Sequence, residues 1–272
     1  MPNESLTQTV EDIDILAGTD RKMTLRLHTP VGAGPFPVVL DLHGGAWCKG
    51  HIDECGTRDN ALAAAGIAAG ALDFRHAGDG YPTSNADINY AVRWVKANAA
   101  KLNIDPARVG LVGQSSGGHL AMLAAMRPND PRYCEIPLDG ADATVAAVAM
   151  VWPVINPLSR YRHAHRERAK ESPPSWIGDI PERHDLYWVT EENMTDGNPM
   201  VALENGEAVE TPPVLWVQGE PDPVHDYRDI DSGAKLNEPD RFVRNYQNAG
   251  GEIEMFRFEK ATQTDQTAID PV

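Results

Sequence analysis

Short apolar runs alternate with longer segments of helical period along most of the 272 residues. This alternation is typical of a mainly parallel sheet whose strands are joined by helices. The predicted strands are Thr9–Leu16, Lys22–His28, Pro37–Leu42, Ile67–Asp73, Arg108–Val112, Thr144–Trp152, Pro213–Val217 and Ile253–Phe258. The predicted helices are Arg58–Ala65, Ala86–Leu102, Ser116–Met126 and Leu236–Ala249. We expect an α/β fold with a mostly parallel sheet of about eight strands and helices on both faces.

The alternation stops between Pro153 and Thr211. This stretch is polar, rich in Pro and Trp, and without a strand period. It is longer than an ordinary connection between secondary-structure elements. We therefore predict a single domain over residues 1–272, with a cap inserted at about 153–211 over the carboxyl edge of the sheet.

A run of basic residues, Arg160–Lys170, lies inside the predicted cap. We interpret it as the solvent-exposed face of a helix, and the alternative is a cap that attracts a carboxylate-bearing substrate. His163 and His165 lie in the same run but lack a third ligand at a suitable spacing, so we expect no metal site.

The charge balance of the chain limits its partners and its compartment. The 40 acidic residues exceed the 24 basic ones and give a net charge of −16, so we expect neither nucleic acid nor a membrane as a partner. No apolar run reaches the roughly 18 residues of a membrane span, and Met1–Ser5 shows no signal pattern. Cys48, Cys55 and Cys134 form no disulfide framework, which favours the cytoplasm.

The segment Gly113-Gln-Ser-Ser-Gly117 fits the pattern G-x-S-x-G and lies between a predicted strand and a predicted helix. A sharp turn in that position lifts a serine hydroxyl above the sheet, at the positive end of the helix. We therefore predict Ser115 as a nucleophile. His119 lies one turn further along, and we interpret it as a packed structural residue.

The segment His43-Gly-Gly-Ala-Trp47 follows another predicted strand. Acyl transfer needs backbone N–H donors close to the developing oxyanion, and glycines allow that approach. Gly44, Gly45 and the amide of Ser116 are the predicted donors. Trp47, beside them, is predicted to line the substrate pocket.

These two segments together resemble the α/β-hydrolase superfamily, and within it the hormone-sensitive-lipase-like esterases and the related feruloyl and acetyl esterases. Asp73-Phe-Arg-His-Ala77 is similar to the D-Y-R-L-A of that group, and Gly219–Val224 is similar to its G-x-x-D-x-x-V. The resemblance implies that Asp222 is the acid of a catalytic triad. It also implies cofactor-free hydrolysis of a small to medium carboxylic ester through an acyl-enzyme on Ser115.

The chain departs from this group at the catalytic base. The group places its histidine after the last strand, whereas here no histidine follows His225 and Gln263 occupies the counterpart position. Glutamine cannot accept the serine proton. His225, three residues past Asp222, is our predicted base, and His76 is a poorer candidate.

The absence of the usual histidine is also consistent with three further hypotheses. The chain could be a non-catalytic ligand-binding homologue, it could carry an engineered Gln263 or a truncated C-terminus, or it could use the serine turn for another reaction. An amidase of the kynurenine formamidase type is one such reaction, since His43–Trp47 also resembles its H-G-G-x-W. The expected partner is a small-molecule ester, and a homodimer is left open.

Overall fold

An eight-stranded sheet runs through the protein, as predicted from the alternating pattern. The computed structural model describes residues 8–259, so Gln263 lies outside the described residues. The strands are β1 (Gln8–Asp14), β2 (Thr24–Pro30), β3 (Phe36–Leu42), β4 (Ala68–Leu72), β5 (Ile104–Gln114), β6 (Val148–Val151), β7 (Val214–Glu220) and β8 (Ile253–Glu259). Their order is β1-β2-β4-β3-β5-β6-β7-β8. Among these eight strands, only the pairings of β2 with β1 and β4 are antiparallel, so the carboxyl ends of the parallel strands share one edge.

Helices connect these strands and cover the sheet. They are α1 (Gly56–Ala64), α2 (Thr83–Ala97), α3 (Ala99–Leu102), α4 (Ser116–Met126), α5 (Pro157–Arg168), α6 (Ile180–Trp188), α7 (Glu191–Asp196), α8 (Pro199–Glu204) and α9 (Glu238–Asn248). Helix α4 packs on β3, β5 and β6, and α1 packs on β2 and β4. No helix within residues 8–259 has the length and the apolar character needed to cross a membrane.

Strand β6 is shorter than the apolar run that predicted it. The prediction began at Thr144, but only Val148–Val151 pairs with both β5 and β7. The Thr144 amide instead donates to the Asp142 carboxylate at 2.8 Å, which holds this part of the run in a turn. At the other end Trp152 adopts a positive φ of 47° and leaves the sheet.

Helices α5 to α8 all lie between β6 and β7, where the sequence shows no strand period. Helix α5 begins after Asn156, whose side-chain oxygen accepts from the Ser159 amide at 3.1 Å and from Asn198 Nδ2 at 2.7 Å. This cap satisfies a free N–H of the first turn and ties α5 to the start of α8. The segment is held by such polar contacts and by side chains such as Trp188 and Met200 that pack into the main core.

The basic run on α5 is only partly a solvated face. Four of its members, all at least partly exposed, pair with nearby acids: Arg162 with Glu191, Arg166 with Asp231, Arg168 with Glu182 and Lys170 with Glu167. Arg160 is different, because only 3% of it is exposed. It lies one turn before Ala164, which packs against Ile177 and Ile180, so both face inward. The interpretation of an exposed face is thus wrong for Arg160.

A buried ion pair joins α1 to β3. Arg58 Nε donates to Asp41 Oδ2 at 2.7 Å, and both side chains are inaccessible to solvent or nearly so. Burial, and then the adjacent Asp41, raise the pKa of the neighbouring Asp59 carboxyl well above its ordinary value. Arg58 is therefore the counter-ion of Asp41, on the strand that leads to Gly44.

We expect Arg58→Met to lower the free energy of unfolding by about 3–5 kcal/mol, because Asp41 is left as an uncompensated buried charge. Denaturant unfolding followed by circular dichroism measures the loss. Arg108→Met is the matched control, since Arg108 pairs with Asp105 at the surface and such pairs contribute about 0–1 kcal/mol. Equal losses in the two variants would contradict the role of the buried pair.

Candidate active site

Ser115 occupies a strained turn between β5 and α4. Its backbone has φ 54° and ψ −115°, a conformation that L residues rarely adopt. Its amide donates to the Val151 carbonyl at 2.9 Å, and its carbonyl accepts from the Val154 amide at 3.0 Å. These bonds hold the serine at the carboxyl edge of the sheet, where the sequence predicts it.

The glycine two residues after this serine is required by packing. A Cβ on Gly117 would lie 2.1 Å from the Leu42 carbonyl oxygen, far inside contact distance. Helix α4 can therefore approach β3 only with glycine at this position. The G-x-S-x-G pattern reflects that close approach as well as the turn itself.

Asp222 and His225 lie on one turn directly after β7. The Asp222 carboxylate accepts from the amides of Val224 and His225 at 3.0 and 3.2 Å. It also accepts from Gln218 Nε2 at 2.9 Å, and Trp216 Nε1 orients that amide group by donating to Gln218 Oε1 at 3.1 Å. The carboxylate is therefore held in place by groups other than the imidazole.

The three predicted side chains Ser115, His225 and Asp222 form one hydrogen-bonded chain. His225 Nδ1 lies 2.7 Å from Asp222 Oδ2, and His225 Nε2 lies 3.2 Å from Ser115 Oγ. The structure thus brings together the nucleophile, base and acid that the sequence nominates. Gln218, which orients the acid, is a site residue that sequence reasoning missed, since nothing distinguishes it from other strand residues.

The charge states of Asp222 and His225 determine which atoms of this chain carry protons. Burial opposes ionisation of Asp222, but His225 and the hydrogen bond from Gln218 keep the pKa of that carboxyl below its ordinary value. Burial lowers the pKa of His225 and outweighs the opposite effect of Asp222. At neutral pH, Asp222 is therefore a carboxylate and His225 a neutral imidazole. Because a carboxylate only accepts, Nδ1 carries the proton and Nε2 accepts from the Ser115 hydroxyl.

The predicted oxyanion donors lie beside this serine. A Cβ on Gly44 would be 3.4 Å from the Ser115 Cβ, so the two residues are neighbours. Gly45 has a φ of +111°, and a Cβ there would lie 2.1 Å from the Lys49 carbonyl oxygen. Ser116 is the first residue of α4, where an amide has no partner within the helix. Gly44 and Gly45 also line the same cavity as Ser115.

That cavity has a volume of about 600 Å³ and opens over Ser115. Its lining includes Gly44, Gly45, Asp222 and His225 together with the serine. Its remaining lining comes largely from the segment between β6 and β7, with the side chains Arg160, Trp176, Ile180 and Arg183. Within residues 8–259, no three His, Cys, Asp or Glu side chains are grouped so that they could hold a metal ion.

Trp47 does not line this cavity, and its prediction as a pocket residue is wrong. Its exposed fraction is 1%, and its Nε1 donates to His119 Nδ1 at 3.2 Å. The surrounding rings are His119, His184, Tyr187 and Trp188. The positive φ of 61° at Trp47 and the packing of α6 account for this inward direction, which the local sequence does not reveal.

His119 and His76, the histidines compared with His225 as catalytic candidates, are bonded or packed within the protein. His119 Nε2 donates to the Gly197 carbonyl at 2.7 Å, and burial lowers its pKa to about 4. The interpretation of His119 as a packed residue is confirmed. His76 packs edge-on to His43 and Phe74, with ring centroids 5.7 and 6.3 Å away.

Known proteins of similar sequence indicate the family to which this chain belongs. The model of the BD-FAE family matches residues 25–232, about three quarters of the chain. The chain is 34% identical over 123 residues to "Probable carboxylic ester hydrolase LipM" of Mycobacterium tuberculosis, covering 44% of this chain and 28% of the relative. It is 36% identical over 121 residues to "Esterase LipC" of the same organism, covering 43% and 30%. The chain thus matches less than a third of the length of either relative.

A solved structure of similar fold is a hyperthermophilic esterase from Pyrobaculum calidifontis. The two superpose with a TM-score of 0.71 at 22% identity, covering 97% of this chain and 80% of that one. At this identity the likeness shows the fold alone. It confirms the α/β-hydrolase fold that the sequence motifs suggest.

Because His225 is buried, we predict that the pKa of its imidazole lies below the ordinary histidine value. NMR titration of the histidine ring protons measures this pKa. In Asp222→Asn the pKa should fall further, because the negative charge that stabilises the imidazolium is lost. The control is Asp105→Asn, a surface change far from this loop in sequence. A wild-type pKa above the ordinary value, or an unchanged value in Asp222→Asn, would contradict the proton assignment.

Proposed function

The chain belongs to the BD-FAE family, and on this basis we propose that it hydrolyses small to medium carboxylic esters through an acyl-enzyme on Ser115. The observation that carries the proposal is the hydrogen-bonded chain from Ser115 through His225 to Asp222. All three residues line the same cavity. The names of the relatives LipM and LipC, a carboxylic ester hydrolase and an esterase, support the same reaction.

Acylation begins when Ser115 Oγ attacks the ester carbonyl carbon. His225 Nε2 accepts the hydroxyl proton, and the ionised Asp222 stabilises the imidazolium that forms. The carbonyl oxygen becomes an oxyanion, for which we assign the amides of Gly44, Gly45 and Ser116 as donors. When the tetrahedral intermediate collapses, His225 gives its proton to the leaving alcohol and the acyl group stays on Ser115.

Deacylation repeats these steps with water as the nucleophile. His225 Nε2 accepts a proton from water, the hydroxide attacks the acyl carbon, and the same donors stabilise the second oxyanion. Collapse returns the proton to Ser115 Oγ and releases the carboxylic acid. In each half-reaction His225 takes up one proton and returns it, so the site ends in its starting protonation state.

A non-catalytic ligand-binding role is the competing function. A binding protein needs neither an ionised acid aligned with Nδ1 nor a serine hydroxyl within hydrogen-bond distance of Nε2. With His225 as the base, three residues from the acid, the enzyme does not require a histidine at position 263. These points favour an enzyme.

Several broader features of the chain belong to the same proposal. We assign residues 153–211 to a cap within a single domain, since helices from this segment line the cavity above Ser115. The cytoplasmic location and the homodimer stay predictions from the sequence.

We expect Ser115→Ala, His225→Ala and Asp222→Asn each to lower kcat for p-nitrophenyl acetate by about 10⁴-fold, because the three groups act as one unit. Release of p-nitrophenolate measures the rate. His165→Ala, an exposed histidine on α5, is the control and should keep the wild-type rate.

Three results would count against the proposal, each in a different way. Equal background rates in the wild type and Ser115→Ala would exclude ester hydrolysis at this site. Near-normal turnover in His225→Ala would exclude His225 as the base, and a gain of activity in Gln263→His would point to the usual position of the histidine instead.

A further inference from the structure

One guanidinium in the cavity wall has two nitrogen atoms without a hydrogen-bond partner in the described part of the chain. Arg160 is 3% exposed, yet its Nε and Nη1 atoms are buried and unpartnered. Among residues 8–259 it also forms no ion pair. The side chain lines the cavity over Ser115 and not a separate void.

The backbone that carries this side chain is firmly held. The Arg160 amide donates to the Asn156 carbonyl at 3.0 Å in the first turn of α5. The Asn156 side chain caps that turn and is itself bound by Asn198. One turn later Ala164 is fully buried against Ile177 and α6. The fold therefore fixes the position of the Arg160 backbone beside the cavity.

Other charged side chains also line the cavity, and among them Glu54 is exposed to solvent. Arg183 pairs with Asp179 and also donates to the Gly45 carbonyl at 3.5 Å. Asp222 bonds to the neutral His225, and its charge partly offsets that of Arg160 without a hydrogen bond between the two. Arg160 is thus a buried cation without a directly bonded counter-ion within residues 8–259.

Such a charge is costly to bury. Desolvation lowers the pKa of Arg160 to about 10, which still leaves the guanidinium protonated at neutral pH. An unpaired buried ion destabilises the free protein unless a ligand supplies the counter-charge. A planar guanidinium with free N–H groups matches a carboxylate, which can accept two parallel hydrogen bonds.

We infer that Arg160 is a subsite for a carboxylate group on the substrate, so that the preferred ester carries a free carboxylate. The inference rests on the proposed function, because it names the substrate class of the same cavity. A carboxylate fits better than a phosphate, since one guanidinium offers a single positive charge and Trp176, Ile180 and Val224 supply apolar surface around it. Arg160 binds and positions the ester while Ser115 reacts.

The test uses Ser115→Ala, which keeps the cavity and removes the proposed nucleophile. Calorimetry compares the monomethyl esters of succinate, glutarate and adipate with the corresponding dimethyl esters, so that the spacing between ester and carboxylate is scanned. We expect at least one monoester to bind about tenfold or more tightly than its diester, because only the monoester can form charge-assisted hydrogen bonds with Arg160. Adding Arg160→Gln should abolish this preference, and Arg160→Lys should keep part of it.

Arg162→Gln, placed on the same helix, is the matched control. Arg162 pairs with Glu191 at the surface and should leave the preference intact. Thermal unfolding separates a binding role from a structural one. Arg160→Gln should keep or raise Tm, because it removes a buried charge that has no directly bonded counter-ion.

Three results would overturn the inference. These are equal affinities for monoesters and diesters, a preference that survives Arg160→Gln, and no monoester binding at millimolar concentrations. Because binding is measured without turnover, a failure of the subsite is distinguishable from a failure of the proposed esterase activity. Absence of esterase activity together with an intact binding preference would refute only the proposed esterase activity.

Discussion

The strained backbone at Ser115 is the constraint on which the site depends. Its amide and carbonyl are bound by Val151 and Val154, which ties the turn to β6 and to the start of the inserted segment. Gly117 allows α4 to approach the Leu42 carbonyl. A larger residue would push β3 away and move the glycines that follow it, which we assign to the oxyanion. The serine and the proposed donors are therefore positioned by the same packing contact.

The acid and the proposed base share a second local constraint. Asp222 and His225 lie three residues apart on one turn, and the carboxylate accepts from the backbone of that turn as well as from the imidazole. The esterases that the sequence resembles draw their histidine from beyond the last strand. Here a single loop after β7 supplies both groups, and Gln218 fixes their orientation from within the sheet.

Features that depend on local sequence were predictable. The eight strands follow from apolar runs, and Ser115 follows from a strand–turn–helix pattern in which glycine is sterically required. His225 could be nominated because it is close to Asp222 in sequence. The direction of Trp47 and the burial of Arg160 could not be predicted, because both depend on how α5 and α6 pack over the sheet. For Arg160 the available signal was a basic run in an acidic chain, and charge alone does not reveal which member faces inward.

The role of His225 as the base is tested most directly by chemical rescue. Imidazole is added to His225→Ala and to Ser115→Ala, and p-nitrophenyl acetate hydrolysis is measured against imidazole and buffer alone. If His225 is the base, imidazole restores turnover in His225→Ala in proportion to its neutral form, whereas Ser115→Ala shows only the rate of imidazole in buffer without protein. Full activity of His225→Ala without imidazole, or equal rates in the two variants at every imidazole concentration, would contradict that role.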